Sequence, residues 1–220
     1  MTLHERSYAE KAYRHLIAKI RLLAEQLHAL PQEIEKLDEI LFDTYFCNFS
    51  IFQSLPDSWA IEQVFPVMPI HRLNEEASKK GILADMSCDS DGKIDRFVGP
   101  RQLLHALPLH PFNHSPYYLG IFLVGAYQEI LGGLHNLFGD ANAVHVELDK
   151  EGRWIINHVV EGDTIEEVLA YAQYDPHQLR RQQRTLIEKA LKSGRLSHAE
   201  SAKLQRKFKE SLESYTYLTV

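Results

Sequence analysis

Residues 84–95 read Ala-Asp-Met-Ser-Cys-Asp-Ser-Asp-Gly-Lys-Ile-Asp, a thiol followed by carboxylates at alternate positions, directly after an apolar, strand-type run. A strand end is a rigid mount, and the loop after it can present Cys88 and Asp89 into a cleft. Two neighbouring carboxylates suit a planar, permanently charged guanidinium, which takes bidentate hydrogen bonds. A thiol beside them can deliver or remove a proton. The same residues also read as an ordinary turn, because Asp-Ser-Asp-Gly is a common turn composition and its aspartates can form Asx-turns. A calcium loop is not expected: the twelfth position counted from Asp89 is Pro100, where an EF-hand needs glutamate.

Two further stretches hold chemistry-bearing side chains. In Tyr117–Leu131 a strand is expected to end at Gly125-Ala126, where small residues let backbone approach a ligand closely. Tyr127 then enters a helix, and its phenol can either hydrogen-bond a phosphate or simply fill a strand-to-helix corner. In Asn48–Ile61 the aromatics Phe52 and Trp59 suit core packing near a proline turn, with the serines and Asp57 as loop caps.

The elements that must carry these residues follow from periodicity. Tyr13, Leu16, Ile17, Ile20, Leu23, Ala24 and Leu27 recur at helical spacing. Pro31 restarts the chain, and Ile34, Leu37, Ile40, Leu41 and Tyr45 form a second stripe, so residues 1–45 read as a helical hairpin. From Phe46 aromatic and β-branched residues dominate. Strands are expected at Asn48–Gln53, Ile82–Met86 and Tyr118–Val124, with a hairpin pairing Val144–Leu148 to Trp154–Val159 around a turn ending at Gly152. Residues 46–163 therefore read as a mostly β domain. Residues 164–220 read as helical: Thr164/Glu167 and Ser197/Glu200 fit capping boxes, and Pro176 opens a helix that Gly194 stops. Leu179, Leu186, Ile187 and Ala190 are expected inward on it. The fold class expected is α+β.

Composition narrows the function. The 220 residues are 45% hydrophobic and 25% charged with a net charge of −6, which suits a globular protein and disfavours a nucleic-acid partner, since phosphate binding needs a basic face. No apolar run approaches the roughly 20 residues that span a bilayer, so no membrane partner is expected. The start lacks the apolar core of a signal peptide. Cys47 and Cys88 are far apart, which reads as a reduced cytoplasmic pair. The 12 histidines are scattered and no HExxH motif occurs, so a histidine-built zinc site is not expected.

These three stretches, in this order, together with Asn136-Leu137-Phe138-Gly139-Asp140, Gly162-Asp163-Thr164 and the closing Tyr215-Thr216-Tyr217-Leu218, resemble the biosynthetic arginine decarboxylases. The resemblance runs from about Leu41 to Leu218. It implies a superfamily fold in which a (β/α)8 barrel holding pyridoxal phosphate precedes a β domain like that of alanine racemase. The helices before Phe46 and after Thr164 would correspond to this family's helical insertions. It further implies pyridoxal phosphate and magnesium as cofactors, arginine as substrate, a role in polyamine synthesis, and assembly as a homo-oligomer or with a barrel-bearing chain.

Carried over by position, Cys88 matches the thiol at the reacting carbon that directs reprotonation. Asp89 matches the carboxylate that meets the distal end of the substrate, and Asp91 is implied as a second guanidinium partner. Tyr127 matches the tyrosine beside the cofactor phosphate. Phe52 falls where relatives place an aromatic at the dimer active site, which the Cys-Asp loop of the other subunit completes. The barrel with its Schiff-base lysine is not expected in these residues. Lys11, Lys19 and Lys36 read as lying on polar helix faces, Lys93 in a turn, and Lys189 to Lys209 on tail helices. The isolated chain is therefore expected to be inactive.

Overall fold

The computed structural model describes residues 1–24 and 41–219. Two compact units interleave along the sequence. The first comprises Met1–Cys47, Gln63–Ala84 and Lys93–Val124; the second comprises Asn48–Glu62, Asp85–Gly92 and Gly125–Val220. Helices and small open sheets make this an α+β protein, with no closed barrel among the described residues.

In the first unit, helix α1 (Leu3–Ala24) opens on a reciprocal cap: Thr2 Oγ1 accepts the Glu5 N–H, and the Glu5 carboxylate accepts the Thr2 N–H. Its expected inward stripe holds only in part. Ile17 and Ala24 are buried, whereas Tyr13, Leu16 and Leu23 are more than half exposed. Most of the second expected helix lies outside the described residues, and Tyr45, placed on that stripe, belongs instead to strand β1 (Asp43–Phe46). β1 runs parallel to β3 (Lys79–Ala84), with Asp43 opposite Gly81 and Phe46 opposite Ala84. A β-carbon on Gly81 would lie 2.8 Å from the Asp43 carbonyl, so glycine is what lets the two strands close.

β3 also pairs antiparallel with β4 (Lys93–Ile94) and β7 (Leu107–Leu109), while β2 (Val67–Pro69) pairs with β8 (Leu119–Ile121), and β5 (Phe97–Val98) with β6 (Leu103–Leu104). Alternation along β3 buries Gly81 and Leu83, which join Ile94, Phe97, Leu107 and Leu109 in the core.

The second unit corrects the expected strand at 48–53. Residues 48–50 form a bend leading into helix α2 (Ile51–Ser54), followed by α3 (Pro56–Ala60) with proline at its first turn. Strand-type composition was overridden by a cap from elsewhere in the chain, described below. The hairpin forms as expected: β9 (Ala143–Leu148) pairs antiparallel with β10 (Trp154–Val160). The Asp149 carboxylate accepts the N–H groups of Glu151 and Arg153, and Gly152 adopts a φ of +78°. These bonds, first that from the Arg153 N–H, hold the Asp149 carboxyl below its usual range.

Both capping boxes are present, Thr164/Glu167 opening α5 (Ile165–Tyr171) and Ser197/Glu200 opening α7 (His198–Leu212). Between them Asp175 caps α6 (Pro176–Lys192), where Ile187 is buried but Leu186, expected inward, is 66% exposed. The last residues close the unit. Asn48 and Leu218 exchange two hydrogen bonds, the Gly139 N–H donates to Thr216 Oγ1, and the buried Tyr217 hydroxyl donates to the Gly139 carbonyl.

Candidate functional site

Asp85, immediately after β3, is 2% exposed, and three donors meet its carboxylate. Oδ2 accepts the Ile51 N–H at 2.9 Å, while Oδ1 accepts the N–H and hydroxyl of Ser87 at 2.8 and 2.7 Å. Ser50, in the N-cap position of α2, makes no side-chain cap, so Asp85 supplies the missing acceptor from a distant part of the sequence. Gly92, where the loop returns, lies so close that a β-carbon there would stand 2.2 Å from Asp85 Oδ1. The loop 85–92 is thus tied beneath by one buried carboxylate.

From that anchor the loop raises the candidate residues. Cys88 is exposed, and its sulfur accepts the Asn136 amide N–H at 3.4 Å. Asp89 Oδ1 accepts the Asp91 N–H at 2.9 Å, so the Asx-turn is present. Asp89 and Asp91 are exposed, and neither enters an ion pair among the described residues. The turn therefore fixes the loop's shape while leaving two carboxylates open to a cation.

Phe52 is 6% exposed on α2, packed edge-on to Trp59 at 5.2 Å and tilted against His135 at 4.3 Å between ring centroids. Tyr127 opens α4 (Tyr127–Ile130), as expected, and is 74% exposed; the preceding strand ends at Ile121 rather than at Gly125. α4 packs on α2 and α3, and Gln128 and Asp57 exchange two hydrogen bonds there. Cys88, Asp89 and Asp91 thus share one loop. Phe52 joins it through Asp85 on one side and through His135-Asn136 on the other.

The lysines differ from expectation in two places. Lys93 is in strand β4, ion-paired to Asp95, and Lys79 and Lys80, which were not weighed as candidates, are in β3. All three are exposed, and Lys79 pairs with Asp43. In the second unit the lysines lie at the hairpin turn and on α6 and α7, all exposed. Tyr127 offers an exposed phenol at the start of α4. Among the described residues no group of three or more His, Cys, Asp or Glu could hold a metal ion.

Sequence reasoning missed Asp85, Gly92 and Asn136. The Asp85-x-Ser87 spacing is itself an Asx pattern, and Gly132-Gly133 ahead of Asn136 marks a loop with unusual backbone. It also passed over the four-residue spacing of His110 and His114. That spacing falls in irregular, non-helical chain of the first unit. His110 is buried with both ring nitrogens engaged, one with the Tyr117 hydroxyl at 2.9 Å and the other with the Glu75 carbonyl at 3.0 Å.

Known proteins resemble this chain. The arginine decarboxylase C-terminal helical extension matches residues 165–218. Over its whole length the chain is similar to full biosynthetic arginine decarboxylases. It is 51% identical to that of Nostoc sp. across 99% of the chain and 32% of the relative, and 50% identical to that of Thermosynechococcus vestitus across 100% of the chain and 34% of the relative. The crystal structure of the Campylobacter jejuni biosynthetic arginine decarboxylase superposes with a TM-score of 0.69 at 29% identity, covering 96% of this chain and 38% of that one. The chain is similar over its whole length to the carboxy-terminal portion of the biosynthetic arginine decarboxylases. It spans about a third of the length of the curated relatives it matches. No helix among the described residues is long and apolar enough to cross a membrane.

Proposed function

We propose that this chain supplies the substrate-recognising and proton-donating loop of an arginine decarboxylase, which converts L-arginine to agmatine and CO2 in polyamine synthesis. The observation that carries the reading is the loop 88–91, where a thiol and two unpaired carboxylates stand exposed on a turn anchored by buried Asp85. Pyridoxal phosphate, when bound by the complete enzyme, supplies the electron sink for loss of the carboxylate. The residues of this chain do the rest of what is assigned here. Asp89 and Asp91 accept hydrogen bonds from the guanidinium, whose fixed fork orients the far end of the substrate. Cys88 gives its S–H proton to the carbon that has lost CO2, so the new C–H bond forms as S–H breaks and the electron pair stays on sulfur. Tyr127 offers its phenol to the cofactor phosphate, and Phe52 holds α2 against the loop.

A barrel-bearing polypeptide completes this site in the cytoplasm, with magnesium as the second cofactor. The uncovered apolar face of the β9–β10 hairpin supports association of this kind: Val144, Val146, Leu148, Trp154, Ile156 and Val159 are 49–73% exposed on it. The test is reconstitution. The 220-residue chain is mixed with a relative's polypeptide truncated before the matching segment, together with pyridoxal phosphate, magnesium and arginine. Agmatine is expected from the mixture and from neither component alone. Turnover by this chain alone would overturn the proposal, as would a stable mixed complex that makes no agmatine.

The Asx-turn at Asp89 favours a second reading, in which 88–91 is only a structural turn of a non-catalytic interaction protein. Under it, substitution at Asp89 changes stability slightly and kinetics not at all.

A further inference from the structure

Asn136 sits in a backbone that few residues adopt. Its φ is 57°, with Leu137 at 62° beside it and Leu134 at 48° two residues before, left-handed positions in which asparagine is tolerated better than most side chains. Such a backbone persists only where surrounding structure holds it. Here α2 supplies hydrogen bonds and a ring contact, and α5 packs on the same turn. The buried Gln53 side chain accepts the Leu134 N–H at 3.0 Å, the Gly133 N–H donates to the Phe52 carbonyl at 3.3 Å, and His135 packs on the Phe52 ring. Gln53 also donates to Asp140 at 2.6 Å, and the absent side chain of Gly132 leaves the space that Gln53 occupies. A closed circuit results: Asp85 ties the loop 85–92 to α2, α2 ties down 132–136, and Asn136 returns to the loop at the Cys88 sulfur.

We infer that Asn136 is a positioning residue for Cys88, its amide N–H donating to the sulfur so that the thiol is held in one orientation and its anion is stabilised. This rests on the proposed role of Cys88 and adds to it the group that acts on the sulfur. An N–H aimed at sulfur favours the charged form over the neutral thiol. Once the S–H proton has gone to carbon, the electron pair left on sulfur already faces a donor, and no rearrangement is needed to receive it.

The experiment follows alkylation of Cys88 by iodoacetamide against pH in the full chain, with peptide mass spectrometry separating the two cysteines. Cys47 reacts separately because burial pushes its thiol up to about 11. Asn136→Gly keeps the left-handed backbone accessible and removes only the donor, so alkylation of Cys88 near neutral pH should slow about threefold or more. Asn136→Asp keeps the size and replaces the donor with an anion, and it should slow the reaction further. Circular dichroism confirms that Asn136→Gly is folded, so slower alkylation reports the lost donor rather than lost structure. Profiles that coincide with that of the parent chain in both variants would overturn the inference while leaving arginine recognition by Asp89 untouched. Conversely, slowed alkylation beside unchanged arginine kinetics on loss of Asp89 would sink the functional proposal and keep the Asn136 contact.

Discussion

Around Asp85 the second unit answers buried polar groups from within itself. One carboxylate meets the first N–H of α2 and both donors of Ser87, Gln53 bridges Asp140 and Leu134, and Gln128 exchanges bonds with Asp57. The β9–β10 hairpin of the same unit does the opposite. Its six apolar side chains on one face are exposed, and a two-stranded ribbon is marginal in water unless something packs on it. The difference separates what this chain builds alone from what it offers to another surface. The loop that carries the candidate chemistry is fixed by internal bonds, whereas the ribbon leaves its apolar side chains exposed.

The largest expected effect breaks the internal side of that comparison. Asp85→Ala removes a buried acceptor from three donors and should destabilise the chain by about 2–4 kcal/mol. Gly92→Ala attacks the same anchor by crowding, because its β-carbon meets Asp85 Oδ1. Urea unfolding measures both, and a loss below about 0.5 kcal/mol for Asp85→Ala would mean that the carboxylate is not an anchor.

The ribbon should behave in the reverse way. Val146→Asp leaves folding stability within about 0.5 kcal/mol, since the side chain is 58% exposed. It should still shift the chain from oligomers toward monomer in light scattering. If the parent chain is already monomeric at high concentration, the ribbon is not an association surface.

Smaller effects come from the helical tail, where everything needed is local. Thr164→Ala should cost about 1 kcal/mol. Hydrogen bonds from Thr164, first its backbone N–H, hold the Glu167 carboxyl below its usual range, and the Ser197 N–H acts likewise on Glu200. Depressed carboxyls stabilise the fold above the ordinary carboxylate range and lose that contribution as pH falls through their lowered values. Both are exposed, so the contribution is small and salt-sensitive. Acid titration of helicity should show the Thr164→Ala difference shrinking as pH drops, and a constant difference would exclude a bond from the Thr164 hydroxyl to the carboxylate.

The same contrast explains what the sequence revealed. Capping boxes, the proline-opened α6 and the hairpin with its glycine turn were legible because each is decided by residues a few positions apart. The cap of α2 was not, because its acceptor lies 34 residues away at Asp85, and local composition alone favours a strand there. At the candidate site, the turn that carries Cys88, Asp89 and Asp91 was visible from residue type and spacing. Asn136 was hidden because its relation to Cys88 is made only by folding across 48 residues. The motifs shared with the decarboxylases turn out to have distinct tasks. Gly139, Asp140, Asp163 and Tyr217 bond to one another or to their neighbours and close the unit, while the loop at Cys88 faces outward.

The central claim is that this outward loop reads the guanidinium of arginine, and Asp89→Ala in the reconstituted enzyme tests it most directly. Losing a charge-assisted hydrogen bond in a dry site costs roughly 2–4 kcal/mol, which predicts that kcat/KM for arginine falls about a hundredfold or more while the complex still assembles. A folded, assembled Asp89→Ala enzyme with unchanged kcat/KM for arginine would contradict the account and leave 88–91 as a structural turn.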